Sequence, residues 1–183
     1  MKNWTSTLDD ITRQTLTEFG SLTSKQLNWK PNSNTWSIAQ NLDHLVIVNE
    51  TYYPVLASLK AGTHKTPFIA KISFMVSFLG KIVLNAVQPD RKKRMKTFPI
   101  WEPNTSNVID DILSRFQNHQ NELVQKIEAA KELVEKGVVI SSPANKNIVY
   151  KLETAFDIIV SHEQRHFEQA KEILQLMKNN TSH

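Results

Sequence analysis

Two histidines four residues apart, His162 and His166, are the side chains of this sequence best suited to chemistry. The apolar residues around them recur at three- and four-residue steps, which predicts a helix. Both imidazoles then lie on one helical face and can reach one ion together. The pattern alone supports metal ligation and a pair of hydrogen-bonded core-edge histidines about equally.

Residues 162–166 also match H-E-x-x-H, in which two helical histidines bind zinc and the glutamate activates water in metalloproteases. Those enzymes take a third ligand from downstream, whereas only 17 residues, without glycine, follow His166 here. A third ligand must therefore come from upstream. Glu163 is turned about 100° from His162 on a helix, so pairing with Arg165 or solvent is favoured over a role as base. For Arg165 and Gln169, surface or dimer contacts are favoured over catalysis.

His44 is the best candidate for the third ligand, because it lies inside a predicted amphipathic helix with apolar residues at each neighbouring turn. His119 is a weaker candidate at the edge of another predicted helix, where a plain surface role is favoured. His64 and the terminal His183 are expected to be exposed and without a role.

The elements that must position these side chains are mostly helices, since glycine is sparse and the apolar spacing is helical. The first helix is predicted from about Trp4 to Phe19, with Gly20 ending it in a left-handed conformation. The second is predicted to begin at Ser37, which forms a capping box with Gln40. Pro54 is expected to bend or end it.

The strongly apolar segment 68–87 approaches the length of a membrane span, but Ser73, Ser77, Lys81 and Asn85 draw a polar stripe along it. We therefore predict no transmembrane segment. A buried helix of the bundle is the favoured interpretation, and a membrane-surface helix anchored by the adjoining basic loop is the alternative.

A long helix is predicted from Val108 to Leu133, with Gly137 stopping it, followed by an extended or looped link over 138–150 and a final helix that carries His162 and His166. The expected fold class is all-α. It is a four-helix bundle with a helical insertion between the second and third main helices, in a single domain over 1–183 with the insertion at about 66–103.

Composition limits the classes of function. Without cysteine, the chain has neither a thiolate metal site nor a cysteine nucleophile, so any thiol chemistry needs a thiol from outside. The N-terminus lacks the pattern of a signal peptide, so we expect a cytoplasmic location. The net charge is +4, but five of the positive charges lie in one short stretch. We therefore do not expect a specific nucleic-acid partner, and we favour a solvated loop for this stretch. These five are Arg91, Lys92, Lys93, Arg94 and Lys96.

Segments 36–45 and 162–169, together with the connector at 27–31, resemble the signature stretches of the DinB-like (DinB/YfiT) superfamily over nearly the whole chain. The resemblance implies a four-helix bundle, frequently a homodimer, in which three histidines hold a divalent ion of the zinc or nickel type. The ligands carry over as His44, His162 and His166. Characterised members of the superfamily are similar in using low-molecular-weight thiols such as bacillithiol, mycothiol or glutathione. Many other members are described only as hydrolases.

These expectations favour a divalent-metal-dependent enzyme that activates a low-molecular-weight thiol for transfer to a small electrophile. Three neutral ligands leave the ion its full charge and at least one open position, which is typical of a catalytic site. One alternative is a hydrolase that uses metal-bound water. The other is a helical module without enzymatic activity that binds a partner.

Overall fold

In the computed structural model, which describes residues 2–90, 101–103 and 110–181, four main helices form a bundle. They are α1 (Trp4–Phe19), α3 (Ile38–Glu50), α6 (Ile112–Ala129) and α8 (Leu152–Thr181). Helix α8 packs against α1 and α3, and α6 packs against the same two helices. The predicted all-α bundle is confirmed.

Shorter elements connect the main helices. They are α2 (Ser24–Leu27), α4 (Tyr53–Lys60), a 3-10 helix (Phe68–Lys71), α5 (Ser73–Val87), α7 (Lys131–Glu135), β1 (Val139–Ser142) and β2 (Asn145–Lys151). Between the second and third main helices lie α4, the 3-10 helix and α5, so the predicted helical insertion is present. The basic stretch at 91–96 lies outside the described residues.

Several local predictions are confirmed. Ser37 and Gln40 form the capping box of α3, each side chain accepting from the other residue's backbone N–H at 3.1 Å. Pro54 occupies the first turn of the separate helix α4. Gly137 has a φ of +65°, the left-handed conformation that ends the helical stretch before the hairpin. The 138–150 link is extended, as expected, and its two strands pair antiparallel.

Two predictions about helix ends are wrong. Gly20 is right-handed, with φ −63° and ψ −25°, and its N–H donates to the Leu16 carbonyl as in a continuing turn. The long helix over 108–133 breaks at Ala130, where the chain starts the short α7. The predicted start of this long helix, Val108, lies outside the described residues.

The prediction that 68–87 is a buried bundle helix is also wrong. Helix α5 packs against β2 and α8 through one face, where Val76 and Gly80 are buried. Its other face leaves Phe74, 73% exposed, and Phe78, 48% exposed, in solvent. No helix among the described residues is both long enough and apolar enough to cross a membrane.

The core consists of two apolar clusters stacked along the bundle axis. One surrounds the start of α8 with Leu8, Leu123 and Tyr150, and the other surrounds its second half with Phe19 and Phe116. Between them, three main helices contribute buried polar side chains instead of apolar ones. These are Asn49 of α3, His119 and Gln120 of α6, and Glu163 of α8. We call this set the polar layer.

Candidate metal centre

Two helices bring the three predicted histidines together. The capping box fixes the first turn of α3, and His44 lies two turns into that helix, 3% exposed. His162 and His166 lie one turn apart in the middle of α8, which packs directly on α3. Helix-to-helix packing between apolar residues therefore sets the distance between the single histidine and the pair.

The three imidazoles converge on a common point. One ring nitrogen from each lies within 4.8 Å of the other two, and this is the only group of three or more potential histidine, cysteine or carboxylate ligands among the described residues. The Nε2 atoms of His44 and His162 are 3.3 Å apart. Two nitrogens bound to one tetrahedral Zn²⁺ at about 2.0–2.1 Å lie about 3.3 Å apart, so this spacing fits a shared ion.

The outer ring nitrogens of two histidines already have partners. Nδ1 of His44 donates to the backbone carbonyl of Trp101 at 2.7 Å, and Nδ1 of His166 donates to Oδ1 of Asn41 at 2.8 Å. Because each Nδ1 then carries the proton, each Nε2 keeps its lone pair. A hydrogen bond of this kind on the far nitrogen is the usual support of a metal-binding histidine.

Trp36 forms an aromatic wall beside the histidines. Its ring centroid lies 4.8 Å from that of His44, and it stacks on His166 at 5.8 Å with planes 23° apart. The wall excludes water from one side of the cluster and restricts the rotation of both imidazoles. His44 and His166 are buried, whereas His162 is partly exposed.

Burial keeps all three imidazoles neutral at pH 7. Desolvation is the largest cause that lowers the pKa of His44, against the carbonyl of Trp101, which raises it. Desolvation also lowers the pKa of His162 and of His166 well below the usual value, and the neighbouring histidines and Arg165 act in the same direction. A neutral imidazole with a free lone pair is the form that binds a metal.

Glu163 does not join the three histidines, and the expectation that it pairs with Arg165 or solvent is wrong. Its carboxylate is fully buried in the polar layer, where it accepts from Nδ2 of Asn49 at 2.7 Å and from Nε2 of Gln120. Desolvation raises the pKa of Glu163 to about 7, although both hydrogen bonds lower it. The match to H-E-x-x-H therefore does not supply a metalloprotease base in this fold.

The other histidines lie away from the cluster. His119 was expected at the surface but is 5% exposed, and its Nδ1 donates to the Tyr53 hydroxyl at 3.1 Å. Its Nε2 lies 3.4 Å from Nδ2 of Asn49. His64 is partly exposed and contacts the Ser58 hydroxyl at 3.0 Å. His183 lies outside the described residues.

Arg165 was expected at a surface or dimer contact, and this expectation is also wrong. The side chain is 8% exposed, and its guanidinium donates to the backbone carbonyl of Ala86 at 3.0 Å. Arg165 thus joins α8 to the end of α5. The sequence had no signal for this contact, because its acceptor is a backbone atom of a distant helix.

Comparison with known proteins decides the family. The sequence profile of the DinB superfamily matches residues 7–170. The chain belongs to the DinB superfamily. The resemblance carried by segments 36–45 and 162–169 is thereby confirmed. No curated protein matches the chain at a significant level.

Among solved structures, this DinB-superfamily chain resembles YfiT from Bacillus subtilis, which is described as a probable metal-dependent hydrolase with an unusual four-helix bundle topology. The TM-score is 0.53 and the sequence identity is 14%, over 96% of this chain and 86% of YfiT. At this identity the likeness shows a shared fold.

Proposed function

We propose that this DinB-superfamily protein is a metal-dependent enzyme whose single divalent ion, Zn²⁺ or Ni²⁺, is held by His44, His162 and His166. The observation that carries the proposal is the convergence of one nitrogen from each imidazole within 4.8 Å. The hydrogen bonds from the far nitrogens of His44 and His166 support it, since they orient the two rings with their lone pairs toward that point.

When bound there, a divalent cation with three neutral ligands supplies Lewis acidity that lowers the pKa of a thiol or a water molecule. The chain contributes the remaining features of the site. The neutral imidazoles leave the cation's charge uncompensated, and Trp36 shields one side from solvent. We propose that a small molecule enters beside His162, the partly exposed member of the three.

We propose a low-molecular-weight thiol as the nucleophile, transferred to a small electrophile. A free thiol ionises at about pH 8.5, so it needs far less assistance than water, which is a much weaker acid. Among the described residues, the converging group contains no carboxylate that could act as a base toward water. Glu163 is committed to Asn49 and Gln120 in the polar layer. The lack of a carboxylate in the converging group and the hydrogen bonds that occupy Glu163 both favour a thiol over water as the nucleophile.

Hydrolysis is the second candidate, because YfiT is described as a probable metal-dependent hydrolase. In that case the same cation would activate water for attack on an ester or amide. The two candidates share the three histidines and differ in the nucleophile. An assay that measures whether thiol or ester is consumed therefore distinguishes the two candidates.

The test is a reactant screen on the metal-reconstituted protein. Thiol loss is followed with cysteine, glutathione or bacillithiol and an aromatic halide, and ester cleavage is followed in parallel without thiol. We expect thiol loss in the wild type that falls to the metal-free rate in His44→Ala. His64→Ala is the matched control and should keep full activity, because His64 does not belong to the converging histidine group and hydrogen-bonds to the Ser58 hydroxyl.

Three outcomes would change the account. Ester cleavage without thiol loss, dependent on His44, would favour the hydrolase. Equal thiol loss in wild type and His44→Ala would contradict the proposed site. A protein that takes up no metal on reconstitution would favour a binding module without enzymatic activity.

A further inference from the structure

The insertion carries a ridge of exposed apolar side chains, which we call the α5 ridge. Its members are Phe68, 75% exposed, Ile72, 43%, Phe74, 73%, Phe78, 48%, and Ile82, 49%. Outside the ridge, the one other large hydrophobic side chain exposed to this degree among the described residues is Leu176. Phe74, Phe78 and Ile82 follow at steps of four, and the first two rings stack at 5.9 Å. Phe74, Phe78 and Ile82 therefore share one face of α5, and exposed apolar side chains grouped in this way are typical of an interaction site.

The ridge cannot turn inward, because the opposite face of α5 is already packed. Val76 is buried there, and the backbone at Gly80 lies so close to β2 and α8 that a Cβ would come within 3.0 Å of Tyr150 and 3.1 Å of Thr154. Arg165 further ties α8 to Ala86 at the end of the helix. The apolar ridge is therefore a fixed feature of the outer surface.

The charge around the ridge has one sign. Residues 61–89 contain Lys65, Lys71 and Lys81 and no acid, a net charge of +3. Lys71 and Lys81 are exposed beside the ridge, and the Lys71 ammonium lies 5.7 Å from the Phe68 ring centroid. In the sequence, Asp90 and then the five basic residues of 91–96 follow this segment, and the structure does not describe 91–96.

We propose that the α5 ridge docks on the surface of an anionic lipid bilayer. An apolar helical face flanked by lysines inserts into the boundary between headgroups and acyl chains while its cations contact the anionic headgroups. The ridge offers the apolar area, and the excess of positive charge offers the attraction. Each part is modest alone, and stable peripheral binding needs both.

Charge argues against a second copy of this chain as the occupant. In a two-fold dimer the same patch meets itself, so the two 61–89 segments, each with a charge of +3 and no acid to compensate it, would lie against each other. An anionic bilayer compensates the same charge. Crossing of the bilayer is not part of the proposal, because α5 has only 15 residues.

The test is flotation of the full chain with lipid vesicles. We expect binding to phosphatidylcholine vesicles that contain about 30 mol % phosphatidylglycerol, weak binding to pure phosphatidylcholine, and release by high salt. Phe74→Ser with Phe78→Ser should lower the partition coefficient at least about tenfold, since the apolar contact is lost. Leu176→Ser is the matched control on α8 and should bind as the wild type does. All three substituted residues are exposed, and thermal unfolding of each variant checks that the fold is intact.

A charge-reversal pair tests the electrostatic half of the proposal. Lys71→Glu with Lys81→Glu should weaken binding to the anionic vesicles, while Lys25→Glu on α2 should not. The proposal is overturned if the wild type does not float with anionic vesicles. It is also overturned if the double variant with Phe74→Ser and Phe78→Ser floats as well as Leu176→Ser does. It is also overturned if sedimentation shows a dimer that the serine variants dissociate and that binds no vesicles, since the ridge would then be covered by a second copy.

Discussion

Asn41 orients the imidazole of His166 through a hydrogen bond, so a substitution at this one residue tests the proposed metal site. Its Oδ1 accepts from Nδ1 of His166 at 2.8 Å, and its Nδ2 donates to the Ser37 carbonyl at 2.9 Å. The amide is thus held by the first turn of α3 and in turn holds the imidazole.

Asn41→Ala should weaken metal binding by about 10- to 100-fold, the usual effect of removing such a partner. Titration of the metal-free protein with Zn²⁺ against a competing chelator measures this. Asn41→Asp is the matched control, since it keeps an acceptor for His166 and should retain most of the affinity. Equal affinities in wild type and Asn41→Ala would mean that His166 does not depend on this hydrogen bond.

Glu163 contributes to the stability of the polar layer, although His162 and His166 on either side of it in the sequence belong to the proposed metal site. Glu163→Ala leaves the amide donors of Asn49 and Gln120 buried without their acceptor, which should lower the free energy of unfolding by about 2–4 kcal/mol. Urea denaturation measures the loss.

Metal content is the matched observation for this variant. It should stay at the wild-type level, because no oxygen of Glu163 joins the converging nitrogens. A variant of unchanged stability that loses its metal would reverse this assignment.

At this scale the sequence predicted which histidines come together and missed what surrounds them. The four-residue spacing of His162 and His166 and the amphipathic position of His44 are local signals. Asn41 lies three residues before His44 on the same helix, so the sequence could have predicted that both residues share one helical face. It could not have predicted that the partner of Asn41 lies on α8. The carbonyl of Trp101, which holds His44, is a backbone atom 57 residues further along the chain and has no sequence signal.

Helix α3 shows how a local signal positions the site at the level of one element. Its capping box is buried, with Ser37 1% exposed, whereas the second capping box of the chain, Thr23 with Gln26 at α2, is exposed. Ser37→Ala should lower the free energy of unfolding by about 1–2 kcal/mol. Thr23→Ala is the matched control and should cost about 0.5 kcal/mol, because its cap is exposed and α2 is a single turn. Equal losses would mean that burial of the cap is unimportant.

Helix α5 shows where element-level prediction fails. Its polar stripe of Ser73, Ser77 and Lys81 is exposed, as the pattern predicted. The adjoining ridge with Phe74 and Phe78 is exposed as well. Periodicity predicts an amphipathic helix but cannot tell how much of a wide apolar face the rest of the chain covers, which depends on the distant contacts of Gly80 with Tyr150 and Thr154.

The whole molecule contains two apolar clusters separated by the polar layer, and this arrangement makes its stability depend on pH. Desolvation lowers the pKa of His119 to about 4 from the usual 6.5. Between these values the unfolded chain binds a proton that the folded chain does not, so stability is lost as the pH falls. The lowered pKa values of His44, His162 and His166 act in the same direction in the metal-free protein.

Glu163 acts in the opposite direction, because its pKa is raised to about 7 and the folded chain takes up a proton there that the unfolded chain does not. Between pH 7 and pH 5, His119 should lower the free energy of unfolding of the metal-free protein by about 2 kcal/mol, while the contribution of Glu163 is the same in the wild type and in a His119 variant. His119→Gln should show a loss that is smaller by about this amount, whatever its stability at pH 7. Urea denaturation of both proteins at the two pH values measures the difference. Parallel losses would show that His119 is accessible to protons in the folded state.

The order of the four main helices and the place of the insertion could be predicted from the sequence, because long amphipathic helices and proline breaks are local features. The polar layer could not, since it exists only where Asn49, Gln120 and Glu163 from three helices meet. The homodimer, the cytoplasmic location and the single domain over 1–183 remain predictions.

The central claim is that three imidazoles from α3 and α8 hold one divalent ion, and elemental analysis of the purified chain after reconstitution tests it most directly. We predict about one equivalent of Zn²⁺ or Ni²⁺ per chain in the wild type and in His64→Ala, and a sharp loss in His44→Ala and His166→Ala. A wild type without metal, or a His44→Ala variant with the full equivalent, would contradict the account.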